Sequence, residues 1–207
     1  MKIPGRIESL DELTSLYREP SERAAGKELD RIDDGMASFI DLCPFVVLAT
    51  SDGAGSTDAS PRGGPPGFVR RLDDRHLAIP DLNGNNRLDS YRNIVSHGRA
   101  GLLMLVPGKD ETLRVNGPAA ITTDPELLAG FTNELRPPKA AIVVETAEIY
   151  GHCAKAFRRA KLWDPSSWEM LSSAPDLAAM YTCIWNIDDV DVRSALETSY
   201  EEELAAD

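Results

Sequence analysis

In one stretch of the chain, a polar segment that contains an arginine is followed by a loop rich in glycine and proline. It reads DASPRGGPPG over residues 58–67. Alternate side chains of a strand share a face, so Asp58, Ser60 and Arg62 are expected on one side. Prolines stiffen such a loop, and glycines let a ligand approach the backbone closely. A guanidinium held there suits a phosphate, which predicts an anion site formed by Ser60, Pro61, Arg62 and Gly63. The alternative is a turn with a surface arginine.

A second candidate site lies in the segment IPDLNGNNRLDSYRN, residues 79–93. A strand is predicted to end at Pro80, and a helix is predicted over 85–96. The N-terminus of a helix offers free N–H groups and positive dipole charge, so an arginine there is unfavourable unless an anion is present. The alternative is that Asp89 compensates Arg87 and that the asparagines only cap the helix. We favour a ligand site here, in which Asn85, Asn86 and Arg87 form a phosphate cradle and Pro80 and Asp81 are further binding positions.

The same helix is predicted to have two faces, because residues three and four apart lie together. The polar face would carry Asn86, Ser90 and Asn93. The face that packs against the sheet would carry Leu88, Tyr91 and Val95.

Two further segments carry polar groups that could line a ligand. In residues 112–117, alternation puts Arg114 and Asn116 on one strand face, where they could line a planar ligand. The alternative, which is the commoner one, is that this face is simply exposed to solvent. Residues 152–163 hold four basic residues and no acidic one. Lys155 could supply a charge there and Trp163 an aromatic wall. The alternative is a basic helix that pairs with the acidic C-terminal tail.

The charge of the chain limits its partners. Its 207 residues include 22 basic and 34 acidic side chains, a net charge of -12. Such a chain should repel nucleic acid and anionic membranes, so neither is expected as a partner. Residues 62–114, however, hold nine basic and six acidic residues. This uneven distribution favours a small anionic ligand, although basic residues paired with surface acids would explain it equally well.

Length and hydropathy predict one domain with extensions and a cytoplasmic location. No apolar run approaches the ~18 residues of a spanning helix, and the N-terminus lacks the apolar core of a secretory signal. Three cysteines and three histidines, without metal-ligand spacing, predict no metal site.

Short strands with turn signals every 8–12 residues predict a β-barrel or sandwich. Polar helices are expected over residues 1–43, where Ser9 and Glu12 fit a capping box. The predicted strands cover 45–51, 57–62, 68–72, 76–80, 99–106, 111–123 and 140–150. A short helix is expected near 125–132 and a helical or loose tail after 176. No GxGxxG motif follows a strand, so a Rossmann dinucleotide site is not expected.

The ordered motifs resemble the pyridoxamine 5′-phosphate oxidase-like FMN-binding superfamily, in particular its uncharacterised oxidase-related branch. The resemblance covers roughly residues 39–165 and rests on SPRGGPPGFV, IPDLNGNNRLDSYRNI, GLLMLVPG, ETLRVNGPA, HCAKA and LWDP. It implies a mainly β (α+β) fold, a split β-barrel of six to seven antiparallel strands with flanking helices. The barrel would occupy 44–165, between a helical extension at 1–43 and a C-terminal helical extension at 166–207 packed on it.

The resemblance also implies a cofactor, FMN, bound at the interface of a homodimer. Arg62, Asn86 and Arg87 would hold its phosphate. Lys155 and Trp163 would come from the second subunit. Backbone N–H groups near 61–63 and 80–81 would meet the edge of the flavin ring. The substrate-binding residues that define true pyridoxamine phosphate oxidases are not evident in the C-terminal part, so the small-molecule substrate stays open.

Three functions remain at this stage. The first is an FMN-dependent oxidoreductase that transfers electrons between the flavin and a small substrate. The second is a flavin or deazaflavin binding protein, a carrier or sensor without turnover. The third is a dimeric interaction protein that binds no cofactor. No general acid or base stands out in the sequence, and a flavin supplies its own redox chemistry.

Overall fold

In the part of the chain that the structure describes, eight strands pair into one antiparallel sheet, and helices flank it. The computed structural model describes residues 3–131, 136–185 and 189–206. The strands are β1 (Phe45–Ser51), β2 (Thr57–Gly63), β3 (Arg70–Arg71), β4 (His76–Pro80), β5 (Arg99–Leu105), β6 (Thr112–Thr122), β7 (Ala141–Glu145) and β8 (Glu148–His152). The helices are α1 (Leu10–Ser15), α2 (Glu22–Ala25), α3 (Asp34–Asp41), α4 (Asp89–His97), α5 (Pro125–Ala129), α6 (Lys155–Ala160), α7 (Trp168–Leu171), α8 (Leu177–Trp185) and α9 (Asp189–Ala205).

The long strand β6 belongs to both halves of the sheet. Its first part pairs with β5 on one side and β8 on the other. Its last four residues pair instead with β7, which continues through β4 to β3. The order β2-β1-β5-β6-β7-β4-β3, with β8 beside β6, leaves the barrel open. The predicted split-barrel, mainly β fold is confirmed.

The number of strands differs from the prediction because 140–150 is two strands. The chain turns at Thr146, whose side chain is fully buried. The Thr146 N–H donates to the Arg75 carbonyl at 2.7 Å. This corner moves the chain from β7 in one half of the sheet to β8 in the other. The predicted strand 68–72 shortens to the two residues of β3, since Phe68 and Val69 turn into the core.

The core fills the space between the two halves of the sheet and is closed by α3 and α4. Helix α4 packs against β1, β2, β5 and β6, and α3 packs against β3. The largest fully buried side chains come from α3, from β1, β4, β5, β6, β7 and β8, and from the residue before β3: Ile40, Val46, Leu48, Val69, Leu77, Ile79, Leu102, Met104, Val115, Ile142, Val144 and Ile149.

The segments outside the barrel differ in how they attach. Residues 3–31 are exposed, and Leu29 alone forms an isolated bridge, to Ile149. The predicted cap of α1 is present, because Ser9 Oγ accepts from the Glu12 N–H at 3.1 Å. At the other end, α8 packs against α9. The division into a barrel and two extensions stays a prediction.

No helix among the described residues is long and apolar enough to cross a membrane. In the same part of the chain, no three His, Cys, Asp or Glu side chains lie close enough to share a metal ion.

Candidate functional site

A cleft of about 830 Å³ lies between β2, the loop after β4 and the start of α4. Its size is within the range of pockets that hold small molecules and cofactors. Two stretches that the sequence analysis selected, 58–67 and 79–93, meet in it. The cleft brings together nine of the predicted site residues: Ser60, Pro61, Arg62, Gly63, Pro80, Asp81, Asn85, Asn86 and Arg87.

Arg62 is held in this cleft by neutral oxygen atoms. Its Nη1 donates to Ser60 Oγ at 2.6 Å and to the Pro61 carbonyl at 2.7 Å. Its Nη2 donates to Ser90 Oγ, on α4, at 3.2 Å. Among the residues that the structure describes, no carboxylate lies within 4.0 Å of the guanidinium. The charge of Arg62 is therefore available to an anion in the cleft.

The alternation of β2 puts three polar side chains on its inner face, as predicted. Asp58, Ser60 and Arg62 are half-buried, whereas the residues between them are exposed. Val46 of β1 lies opposite Arg62, so this face continues into the barrel core. The Ser90 hydroxyl, only 2% exposed, also donates to Asp58 Oδ2 at 2.5 Å. Asp58, Ser90 and Arg62 thus form one connected polar cluster.

Helix α4 begins at Asp89, four residues later than predicted. Asn86 has φ 56° and Leu88 has φ 60°. Both have a left-handed backbone conformation, which a right-handed helix does not contain. A leucine there costs about 1–3 kcal/mol, a strain that is typical of functional loops. Asn86 and Arg87 therefore lie before the helix, so, contrary to the prediction, Arg87 is not in its first turn. The Nε atom of Arg87 instead donates to Asp89 Oδ2 at 2.8 Å.

The packing face of α4 also differs from the prediction. Val95 is 77% exposed and Leu88 is 46% exposed, so neither packs against the sheet. The buried residues of α4 are Ser90, Asn93 and Ile94. Asn93 Nδ2 donates to Thr50 Oγ1 of β1 at 3.0 Å, which satisfies both buried groups. The helix buries polar side chains because β1 and β2 present polar partners to it.

Tyr91 supports the other wall of the cleft. Its hydroxyl donates to Asp81 Oδ1 at 2.9 Å. Burial, with the charge and hydrogen bond of Asp81, raises the pKa of Tyr91 well above its ordinary value, so the hydroxyl stays protonated. The Asp81 N–H donates to the Ala140 carbonyl at 2.9 Å, and Pro80 has no N–H. The backbone N–H groups at 80–81 are thus not free in this structure, and their contact with a flavin stays a prediction.

Four predicted site residues lie outside the cleft of this chain. Arg114 and Asn116 share a face of β6, as expected, but the strand register places that face on the opposite side of the sheet from Arg62. Arg114 Nη1 donates to the Tyr150 hydroxyl at 2.8 Å. Lys155 begins α6, and Trp163 Nε1 donates to the Lys109 carbonyl of the β5–β6 hairpin at 2.8 Å. Their binding roles stay predictions.

The cleft also contains residues that the sequence analysis did not select. Arg136 and Lys139 line it, from a segment that reads RPPK. Arg136 Nη2 donates to Asn83 Oδ1 at 2.6 Å. Leu204, near the end of α9, reaches the same cleft. Basic residues around a Pro-Pro pair repeat the pattern of the first motif and could have indicated 136–139, whereas nothing in the local sequence indicates Leu204.

The cleft can recognise an anion and a planar apolar group together. Its cations are Arg62, Arg87, Arg136 and Lys139, and its carboxylates are Asp58, Asp81 and Asp89. Asp89 pairs with Arg87, and Asp58 accepts from Ser90 rather than from Arg62, so Arg62 has no direct ion pair among the described residues. Phe68 and the prolines of the lining add apolar surface.

Residues 32–153, more than half of the chain, match the family model described as pyridoxamine 5′-phosphate oxidase. The chain belongs to the pyridoxamine 5′-phosphate oxidase family. The matched region begins just before α3 and ends just after β8, so it includes both half-sheets and every cleft residue except Leu204. No curated protein matches the sequence.

Several solved structures are similar to this member of the family. HupZ from Group A Streptococcus has 20% identity and a TM-score of 0.45, over 58% of this chain and 93% of that one. An FMN-binding protein from Syntrophomonas wolfei subsp. wolfei has 15% identity and a TM-score of 0.43, over 55% and 79% of the two chains. General Stress Protein 26 from Bacillus anthracis str. Sterne has 17% identity and a TM-score of 0.40, over 56% and 88%.

Proposed function

We propose that this protein is an FMN-dependent oxidoreductase whose cleft holds the FMN phosphate at Arg62. The observation that carries the proposal is the position of Arg62. It is fixed by Ser60 and Ser90 and faces the cleft without a carboxylate partner among the described residues. Membership of the pyridoxamine 5′-phosphate oxidase family supports redox chemistry with a flavin.

The cleft residues fit the donor needs of a phosphate monoester. A guanidinium, the Ser60 hydroxyl and the loop 83–87 converge on one region, and charge-assisted hydrogen bonds of this kind are the strong ones. Arg87, exposed and paired with Asp89, lies at the outer edge of the same region. The bound flavin would supply the transfer of electrons, while the protein supplies binding and orientation. Tyr91 and Asp81 would fix the wall beside the loop after β4 and keep a hydroxyl proton there.

A second copy of the chain would complete the site. The face of the sheet that carries Arg114 and Asn116 also presents Phe45, Val47 and Leu103, which are partly exposed and apolar. Covering this face with a partner would bury these apolar side chains. We therefore propose a homodimer, in which Arg114, Asn116, Lys155 and Trp163 act at the site of the partner.

The experiment that tests the proposal is a titration with FMN and with riboflavin, which lacks the phosphate. The absorption spectrum of the purified protein, with identification of the released pigment, separates FMN from deazaflavin. Arg62→Ala is expected to weaken FMN binding by about 1.5–3 kcal/mol, roughly 10- to 150-fold, while riboflavin binding changes little. Steady-state oxidation of NADH or NADPH by the holoprotein distinguishes an enzyme from a carrier.

Arg92→Ala is the matched control. Arg92 is an exposed arginine on the same helix as Ser90 and does not line the cleft. Its removal lowers the net charge equally, so it reports the long-range effect of charge alone. Equal losses of FMN affinity in the two variants would refute the assignment of the phosphate to Arg62. A protein that binds no flavin would refute the proposed function.

A further inference from the structure

We propose that Asp58 is a positioning residue that acts through Ser90 on Arg62. The inference rests on the proposed function, because Arg62 is taken as the residue that binds the FMN phosphate. Ser90 Oγ donates to Asp58 Oδ2 at 2.5 Å and accepts from Arg62 Nη2 at 3.2 Å. Asp58 and Arg62 are on β2, and Ser90 joins them from α4.

The single hydroxyl proton of Ser90 explains how Asp58 affects the position of Arg62. A serine hydroxyl has one proton to donate, and an ionised carboxylate can only accept. The proton of Ser90 is therefore directed to Asp58, which leaves the oxygen lone pairs for Arg62. Ser90 is only 2% exposed, so water has little access to replace the carboxylate. Without Asp58, the Ser90 hydroxyl would have no carboxylate to fix its proton, so the direction of its lone pairs toward Arg62 would not be set.

The geometry of β2 also keeps the two charges apart. Residues four apart on a strand are separated by about 13 Å along the chain. Asp58 therefore does not pair directly with Arg62, which has no carboxylate contact among the described residues. The Ser90 bridge fixes the guanidinium while leaving its charge for a ligand. A direct ion pair would compete with the phosphate instead.

The sign of the effect separates positioning from simple charge repulsion. A carboxylate near an anion site repels the anion, so its removal should strengthen FMN binding if charge is all that matters. If Asp58 positions Arg62, removing it should weaken FMN binding although a repulsive charge is lost. Asp58→Asn keeps an oxygen acceptor for Ser90 without the charge. The two substitutions at Asp58 therefore distinguish the two roles.

The experiment measures the affinities of FMN and riboflavin for the full-length protein. Asp58→Ala is expected to weaken FMN binding about tenfold, and Asp58→Asn is expected to stay within about threefold of wild type. Riboflavin affinity should not change in either variant, since only the phosphate depends on Arg62. The double variant Asp58→Ala/Ser90→Ala should lose no more FMN affinity than Ser90→Ala alone, because Asp58 acts through Ser90. Asp74→Asn, an exposed aspartate outside the cleft, controls for net charge.

Each outcome decides between the two proposals. Wild-type protein that binds no FMN refutes the proposed function and this inference together. Wild-type protein that binds FMN, with Asp58→Ala binding it equally well or more tightly, refutes the inference alone. Equal losses of FMN and riboflavin affinity would also refute it, because they indicate a general structural defect. If Asp58→Ala does not fold, Asp58→Val, which lacks an acceptor and suits a strand, provides the same comparison.

Discussion

The corner between β7 and β8 packs directly against the Cα atom of Gly117. Replacing Gly117 with alanine should therefore destabilise the barrel. A Cβ atom on Gly117 would lie 1.8 Å from the carbonyl oxygen of Glu145 and 2.9 Å from the nitrogen of Ala147. Real Cβ atoms essentially never approach such atoms closer than 3.0 Å, so Glu145 and Gly117 would have to separate by about 1.2 Å. Both obstacles are backbone atoms, and no change of rotamer can relieve the overlap.

The expected cost of Gly117→Ala follows from two contributions. Overpacking of a filled interior costs about 1–3 kcal/mol. Moving the corner also strains the hydrogen bond from the Ala147 N–H to the Asn116 carbonyl, 3.1 Å long, which is worth about 0.5–1.5 kcal/mol. We therefore expect a loss of about 1.5–4.5 kcal/mol in the free energy of unfolding. For a chain of this length the melting temperature should fall by roughly 3–18 °C.

Urea unfolding followed by circular dichroism measures this loss, and Gly151→Ala is the matched control. Gly151 lies in β8, in the same sheet, and a Cβ atom there would meet nothing within 4 Å. Its replacement should be neutral, or stabilising by up to about 1 kcal/mol, because alanine restricts the unfolded chain. If the two variants unfold at the same urea concentration, the corner does not rest on Gly117 and the reasoning is refuted.

Two more predictions concern α4 and the assembly. Asn93→Ala should cost about 1–3 kcal/mol of stability, because it removes a buried hydrogen bond. Val95→Ala should change stability by less than about 0.5 kcal/mol, because Val95 is exposed. Thermal unfolding measures both, and a larger loss for Val95→Ala would contradict the observed packing face of α4. Sedimentation equilibrium should give twice the mass of one chain, and Val47→Asp should shift the protein toward monomer, since a charge would be buried in the interface. A wild-type monomer at micromolar concentration would argue against the homodimer.

The local pattern of residues determined most of the strands and one wall of the site. The apolar and β-branched residues of 45–51 and the turn signals beside 57–62 and 76–80 predicted strands whose bounds agree with β1, β2 and β4 to within a residue. The alternation of side chains along 57–62 placed Asp58, Ser60 and Arg62 on one face, because alternation depends only on extended backbone. The order of the motifs was enough to identify the family, and with it the split barrel.

The sequence failed where long-range packing overrides the local pattern. The helical spacing of 85–96 suggested a packing face through Val95. The structure instead buries Asn93, whose hydrogen-bond partner Thr50 lies on β1, 43 residues away in the sequence. The start of α4 is set by two left-handed residues, which the spacing of side chains does not reveal. Arg114 looked equivalent to Arg62 as a polar arginine on a strand. Only the register through β1 and β5 shows that the two lie on opposite faces.

The contact that makes the site belongs to the tertiary structure. Arg62 and Ser90 are 28 residues apart, and they meet only because α4 packs across β1 and β2. The contributions of Arg136 and Leu204 likewise depend on where distant segments return to the cleft. Residue types and their spacing determined which groups could bind a phosphate. The packing of distant segments against one another decided which of those groups share one cleft. Burial of the core fixes that packing, and local sequence does not.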